Sequence, residues 1–68
     1  MRLKQLRTER GLLQADIGGY LGKGQNTISY YETGKREPSI EELKRIADYF
    51  NVSVDYLLGL TDNPKRNY

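Results

Sequence analysis

Apolar residues recur along this chain at helical spacing in short stretches, each closed by a glycine or a turn residue. No stretch alternates as a strand would. Leu3 and Leu6 form a narrow stripe that predicts a helix over roughly 2–10, with Gly11 as a left-handed stop. Ile17 and Leu21, four apart, share a face and predict a second helix over 14–21, ended by Gly22. A third follows Lys23-Gly24 over roughly 25–32, with Ile28 and Tyr31 facing inward and Gly34 as its end. Pro38-Ser39 breaks the chain. Ser39-Ile40-Glu41-Glu42 then reads as a capping box, Ser39 being the N-cap and Glu42 reaching back. The fourth helix carries Ile40, Leu43, Ile46, Ala47 and Phe50 as its apolar face. Asn51-Val52-Ser53 is a turn, and Ser53 caps a fifth helix with Asp55 in its first turn, where the helix dipole favours negative charge. Val54, Leu57 and Leu58 are its expected buried side, and Gly59 closes it. Residues 61–68 are polar, include Pro64, and are expected to fray. The prediction is an all-α chain of five short helices: one domain over 1–60 and a polar C-terminal tail over 61–68.

Connections this short force consecutive helices to pack. The second and third are joined by about three residues with glycines at the joint, as expected of a helix-turn-helix. Gly18 lies inside the second helix, where glycine costs about 1 kcal/mol relative to alanine. Close approach of the third helix would account for it. Gly19 repeats the cost, and the pattern supplies no reason.

The third helix divides sharply. At 100° per residue, Ile28, Tyr31 and Glu32 lie on one side, while Gln25, Asn26, Ser29 and Tyr30 occupy an arc of about 140° on the other. That second arc holds no aliphatic residue. A helix that enters the major groove needs one face on the core and one toward the bases, with its N-terminal residues nearest them. Glutamine and asparagine each donate and accept, matching adenine N6 and N7 in a bidentate pair worth about 1–3 kcal/mol of discrimination. Ser29 can pair with several bases, and Tyr30 offers a hydroxyl, or a ring against a thymine methyl. The same residues on an ordinary surface helix would be a solvated face.

Composition narrows the classes. The 68-residue chain contains no cysteine and no histidine. Disulfides, thiolate metal sites and Cys/His nucleophile pairs are therefore excluded, and no metal, cofactor or small-molecule ligand is expected. Asp and Glu are scattered over helix surfaces, so no acid–base pair converges and no enzyme is expected. No apolar run approaches membrane-spanning length, and the N-terminus lacks a signal-peptide apolar region, so a cytoplasmic protein is expected. The net charge of +2 is unevenly placed. Residues 1–36 hold seven basic groups against three acidic ones, a balance of +4, and residues 37–68 hold four against six, a balance of −2. The half with the candidate base-reading helix is the positive half, as phosphate contact requires.

These residues together resemble a known family, the XRE or Cro/phage-repressor-type helix-turn-helix regulators. The resemblance runs over about residues 2–60. It is carried by Arg7, Gly11-Leu12-Leu13-Gln14, Gly18, Gly22, Ile28, the run Tyr31-Glu32-Thr33-Gly34-Lys35-Arg36-Glu37-Pro38, Ser39, and Val52-Ser53-Val54-Asp55-Tyr56-Leu57-Leu58-Gly59. It implies a compact lambda-repressor-like five-helix domain that binds double-stranded DNA and regulates transcription, as a repressor. It also implies roles. Gln14 would bond a phosphate and brace the base-reading residues. Gln25, Asn26 and Tyr30 would read base edges, with Ser29 close by. Lys35 and Arg36, helped by Lys23, would hold the backbone. Arg7 and Glu32 would form a partly buried ion pair, the alternatives for Arg7 being a phosphate contact or a plain surface charge. Three positions depart from the family pattern. Leu13 replaces an N-cap threonine at a cost of roughly 1 kcal/mol. Gly24 replaces a serine or threonine, and Gly19 is unusual.

One helix touches only a few base pairs, so geometry and the resemblance both imply a homodimer on a palindrome with half-sites about 34 Å apart. Tyr49, Tyr56 and Leu60, with Tyr68, are the candidate interface residues. The alternative for the tyrosines is packing within one chain. A second function class is a protein-binding adaptor or antitoxin-like partner that uses the Tyr/Leu-rich C-terminal surface.

Overall fold

The computed structural model describes residues 1–66. Five helices follow in order: α1 (Leu3–Glu9), α2 (Gln14–Leu21), α3 (Gln25–Thr33), α4 (Ile40–Phe50) and α5 (Val54–Leu58). Among the described residues there is no strand. The predicted bounds agree with these to within one residue.

The helices start by different means. Ser39 Oγ accepts from the Glu42 N–H at 3.1 Å, and the Ser39 N–H donates to Glu42 Oε1 at 3.1 Å, so both halves of the capping box are made. Ser53 Oγ likewise accepts from the Tyr56 N–H at 3.0 Å. At α2 the N-cap is Leu13, whose side chain cannot accept. Half a box survives because Asp16 Oδ2 accepts from the Leu13 N–H at 2.8 Å. Gly24 starts α3 with no side-chain bond. Gly34 ends it at φ +80°, a left-handed conformation that costs glycine nothing. The same conformation at Asn51, φ +56°, ends α4 on a residue type that tolerates it.

One core joins the elements. Leu3 and Leu6 of α1, Ile17 and Leu21 of α2, Ile28 and Tyr31 of α3, and Ile46, Ala47 and Phe50 of α4 pack with Val52 and Leu57. Each fully buried large side chain contributes about 1.5–3 kcal/mol. Two predicted core positions fall outside it. Ile40 is 74% exposed: it is the first residue of α4, and the apolar stripe runs one turn past the end of the core. Leu58 is 38% exposed, because so short a helix buries one side only and Leu57 occupies it.

Gly18 has a specific reason. A Cβ there would stand 2.7 Å from the Lys23 carbonyl oxygen, and the Lys23 N–H returns to the Gly18 carbonyl at 2.8 Å. The turn backbone, rather than α3 itself, makes the close approach expected from the sequence. A Cβ on Gly19 would meet nothing within 4 Å, and its presence has no explanation in the structure.

The tail differs from expectation as far as it is described. The Ser53 N–H, on a buried residue, donates to the Pro64 carbonyl at 3.1 Å. Arg2 donates to the Thr61 carbonyl at 3.1 Å and to Asp62 at 2.9 Å, and Arg66 pairs with Asp48. A buried backbone donor needs a partner, and the returning chain supplies it, so residues 61–66 are fastened rather than frayed. Tyr68 lies outside the described residues.

Candidate nucleic-acid interface

Gly22, at φ +71°, turns the chain out of α2, and Lys23 and Gly24 lead directly into α3. The two helices pack as a pair, and α3 turns Ile28 and Tyr31 into the core. Its opposite face carries Gln25, Asn26 and Tyr30, all exposed, and Ser29, half-buried. The arc drawn from helical geometry is therefore an open surface.

Behind it runs a polar network. The Arg7 guanidinium donates from Nε to Glu32 Oε2 at 2.6 Å and from Nη2 to Glu32 Oε1 at 3.1 Å. Its Nη1 donates to the Leu12 carbonyl at 2.9 Å. The Glu32 side chain is 3% exposed and that of Arg7 is 11% exposed, so this two-pronged pair is shielded from water. The bond to Glu32, opposed by burial, holds the Arg7 pKa above its ordinary value. Gln14 Nε2 also donates to Glu32 Oε1, at 3.1 Å, and Gln25 Nε2 donates to Gln14 Oε1 at 3.4 Å. One carboxylate thus ties α1, α2 and α3 together. Arg7, Leu13, Gln14, Ala15 and Gln25 line a surface depression of about 270 Å³ over this network.

Lys35 and Arg36 follow Gly34 at the far end of α3, and both are exposed. Arg36 lies 5.6 Å and Lys35 6.0 Å from the centre of the Tyr30 ring, within reach of cation–π attraction. Their N–H groups both turn back to the Tyr30 carbonyl, at 2.9 Å for Lys35 and 3.3 Å for Arg36. Tyr30 therefore gathers the two cations beside the helix as well as facing outward. Lys23 stands 3.8 Å from Glu42 Oε2. That oxygen is buried and accepts no hydrogen bond, while Glu42 Oε1 accepts from the Tyr31 hydroxyl at 3.1 Å. Burial would raise the Glu42 pKa, but bonds from Ser39 and Tyr31 and the charge of Lys23 outweigh it and leave the pKa low. Burial and the bond to Glu42 push the Tyr31 hydroxyl up.

The three described interface candidates are in different settings. Tyr49 is half-buried, with its ring centre 4.7 Å from Tyr20 and 5.1 Å from Phe50. Tyr56 is half-buried beneath Arg2, whose guanidinium lies 4.4 Å from the ring centre. Leu60 is 73% exposed.

The family model described as Helix-turn-helix matches residues 3–57, which span all of α1 to α4 and most of α5. The chain belongs to this helix-turn-helix family. It is 38% identical over 66 residues to the HTH-type transcriptional regulator ImmR of Bacillus subtilis (strain 168), a match covering 97% of this chain and 52% of that protein. It is 40% identical over 58 residues to the HTH-type transcriptional activator BcrR of Enterococcus faecalis, covering 85% of this chain and 28% of that protein. It is 32% identical over 58 residues to the cryptic phage CTXphi transcriptional repressor RstR of Vibrio cholerae, covering 85% of this chain and 52% of that protein. The chain spans about half the length of the first curated relatives it matches. No solved structure matches it.

Within this helix-turn-helix unit, sequence reasoning missed two links. It put Gln14 beside a phosphate without its bond to Glu32, and it treated Tyr30 apart from Lys35 and Arg36. The first had a weak signal: Glu32 lies seven residues after Gln25, about 20° away around α3 and about 10 Å along it, so the two share an edge of the helix. Among the described residues no group of three or more His, Cys, Asp or Glu could hold a metal ion. Among them, too, no helix is long and apolar enough to cross a membrane.

Proposed function

We propose that this chain is a sequence-specific double-stranded-DNA-binding transcriptional regulator, not an enzyme, that inserts α3 into the major groove. The observation that carries this is the exposed row of Gln25, Asn26 and Tyr30 on a helix whose other face is buried, with Lys35 and Arg36 at its end. Side chains that donate and accept address base edges, and cations address phosphates. Gln14 and Lys23 flank the row as further backbone contacts, with Ser29 beside the bases. Residues 1–60 form the DNA-binding unit, and a DNA target puts the working location in the cytoplasm.

The acting species is a homodimer on a palindromic operator. One copy carries one α3 and half-sites one helical turn apart lie roughly 34 Å from each other, so one copy reads one of them. Leu60, Ile40 and Leu58 are exposed apolar residues suited to pairing, and Met1, Glu37, Pro38, Leu43 and Leu58 line a depression of about 330 Å³. Tyr49 and Tyr56, engaged within their own chain, would lie at its edges. Repression is supported by the likeness to RstR, although BcrR is named an activator.

Selection from a random duplex pool tests the central reading. It should return a palindrome whose half-site changes in the Gln25→Ala and Asn26→Ala variants, whereas Lys35→Ala weakens all duplexes alike. A pool from which no preferred sequence emerges would remove the proposal. Placing the recovered operator across a reporter promoter then separates repression, seen as reduced expression, from activation.

A further inference from the structure

Glu42 Oε2 is a buried carboxylate oxygen that accepts no hydrogen bond, and the cation set against it among the described residues is Lys23, with Nζ at 3.8 Å. Lys23 lies in the joint between α2 and α3, beside the face proposed to meet DNA. We infer that Glu42 competes with the DNA backbone for Lys23 and so acts as a brake on how tightly the chain holds any duplex. The inference rests on α3 reading DNA.

Both ends of the contact are held in place. The Lys23 N–H donates to the Gly18 carbonyl at 2.8 Å, and the Lys23 carbonyl oxygen packs 2.7 Å from where a Gly18 Cβ would stand. The side chain therefore sets out from a fixed backbone, and whether it turns to Glu42 or to a phosphate is a choice of rotamer. Glu42 Oε1 accepts from the Ser39 N–H and from the Tyr31 hydroxyl, each at 3.1 Å. Those bonds tie the carboxylate to the start of α4 and to α3, and they keep Oε2 turned inward. The Glu42 side chain is 16% exposed and that of Lys23 46%.

At 3.8 Å the ammonium stands beyond hydrogen-bond length, so the attraction is electrostatic and demands no fixed geometry. Lys23 can leave. Its departure strips Oε2 of its counter-charge and leaves a buried acceptor with neither bond nor cation. A duplex that recruits Lys23 bears that cost. The half-exposed position of Lys23 keeps the cost small, since ion pairs open to water are weak. Lys35 and Arg36 stand in contrast: the ion pairs among the described residues do not include them, so they meet phosphate without giving up an acid. Nothing in the brake distinguishes one base from another, and it acts on selected and unrelated duplexes alike. Glu42 is in this sense a positioning residue for Lys23.

The deciding variant is Glu42→Gln. Its amide oxygen can still accept from Ser39 and Tyr31, which keeps the capping box, while its NH₂ replaces Oε2 and repels the ammonium. Glu41→Gln is the control: it removes the same charge at the exposed neighbouring position, which makes no ion pair among the described residues. Binding to a selected duplex and to an unrelated one is followed by fluorescence anisotropy as salt is raised. Glu42→Gln should bind both more tightly than Glu41→Gln does. That advantage should shrink by about threefold between about 50 and 200 mM salt, as the slope of about −0.9 for one further phosphate requires. Loss of stability cannot imitate the result, because it weakens binding. In a Lys23→Ala background the advantage should vanish. A second comparison leaves Glu42 intact: Lys35→Ala should flatten the wild-type salt slope by about 0.9, and Lys23→Ala by clearly less. Should circular dichroism show Glu42→Gln unfolded, this second comparison decides alone.

A folded Glu42→Gln that binds no more tightly than Glu41→Gln would overturn the inference, as would an advantage that survives Lys23→Ala. Equal flattening by Lys23→Ala and Lys35→Ala would show Lys23 fully engaged by DNA and overturn it too. In each of those cases a wild type that still prefers its selected duplex leaves the reading by α3 standing. A wild type that binds duplexes with neither preference nor salt dependence would remove that reading, and the brake with it.

Discussion

α3 and α4 are neighbours in sequence and similar in length, yet they are held in opposite ways. α4 carries its own instructions: a complete Ser39–Glu42 capping box, acidic residues in its first turn, and three fully buried side chains, Ile46, Ala47 and Phe50. α3 has a glycine N-cap with no side-chain bond, no acidic first turn, and two buried side chains, Ile28 and Tyr31. It stands where it does because Glu32 is tied to Arg7 and Gln14, and because the turn before it fits against Gly18. A helix that leaves one face open gives up apolar anchorage, and a polar clamp behind it compensates.

Breaking that clamp should have the largest effect. Arg7→Met leaves a shielded carboxylate without its partner, a change that typically costs about 3–5 kcal/mol. A core in a chain this small supplies roughly 3–5 kcal/mol in total. Urea denaturation should therefore find the variant largely unfolded at 25 °C, and retention of a wild-type midpoint would mean that α3 does not depend on the pair.

Next comes a matched test within α2. Gly18→Ala drives a Cβ to within 2.7 Å of the Lys23 carbonyl, and should destabilise by about 1–3 kcal/mol while disturbing the joint that aims α3. Gly19→Ala, one residue on and facing open space, should stabilise by about 1 kcal/mol with unchanged DNA selection. Opposite shifts of the thermal midpoint are expected from adjacent, chemically identical changes.

The smallest expected effect is one of pH, and it sits where the two helices meet. The Glu42 carboxyl is held below its ordinary pKa in the folded chain, so its stabilisation is present above its unfolded pKa. That stabilisation is lost as pH falls through the lowered folded value. The Tyr31 hydroxyl is raised, so its contribution is complete below the usual tyrosine pKa and is lost as pH climbs through the folded one. Glu42→Gln should flatten the acid side of a stability–pH curve, and Tyr31→Phe the alkaline side, as followed by circular dichroism.

The same contrast explains what could be foreseen. Local chemistry was legible. Ser39 three residues before Glu42 is a complete signal, and Gly34 and Asn51 announce the ends of α3 and α4 without help from the rest of the chain. Ile28 and Tyr31 set against Gln25 and Asn26 distinguish the two sides of α3 by period alone. What depends on distant parts did not show. Period marks Ile40 as inward, and only the packed core reveals that the stripe overshoots it. The bond from Ser53 to Pro64 joins segments with no pattern between them, so the tail read as loose. Gly18 was noticed as an anomaly, but the atom it makes room for became visible only once the turn was drawn. The Gln14–Gln25 contact likewise needs the crossing of α2 and α3, which no spacing rule supplies.

Three of the arginines in the basic half of the chain are already committed to the chain itself. Arg2 donates to the Tyr56 and Thr61 carbonyls, Arg7 to Glu32, and Arg10 to the Phe50 carbonyl at 2.7 Å. Of the seven cations counted there, Lys4, Lys35 and Arg36 are left to meet a polyanion, and Lys23 is shared with Glu42. Four phosphates neutralised by that half correspond to a slope of about −3.6 in log K against log salt. The formal charge of that half thus overstates how many counterions a docked copy releases, and titration with salt, rather than an isoelectric point, measures its electrostatic footprint.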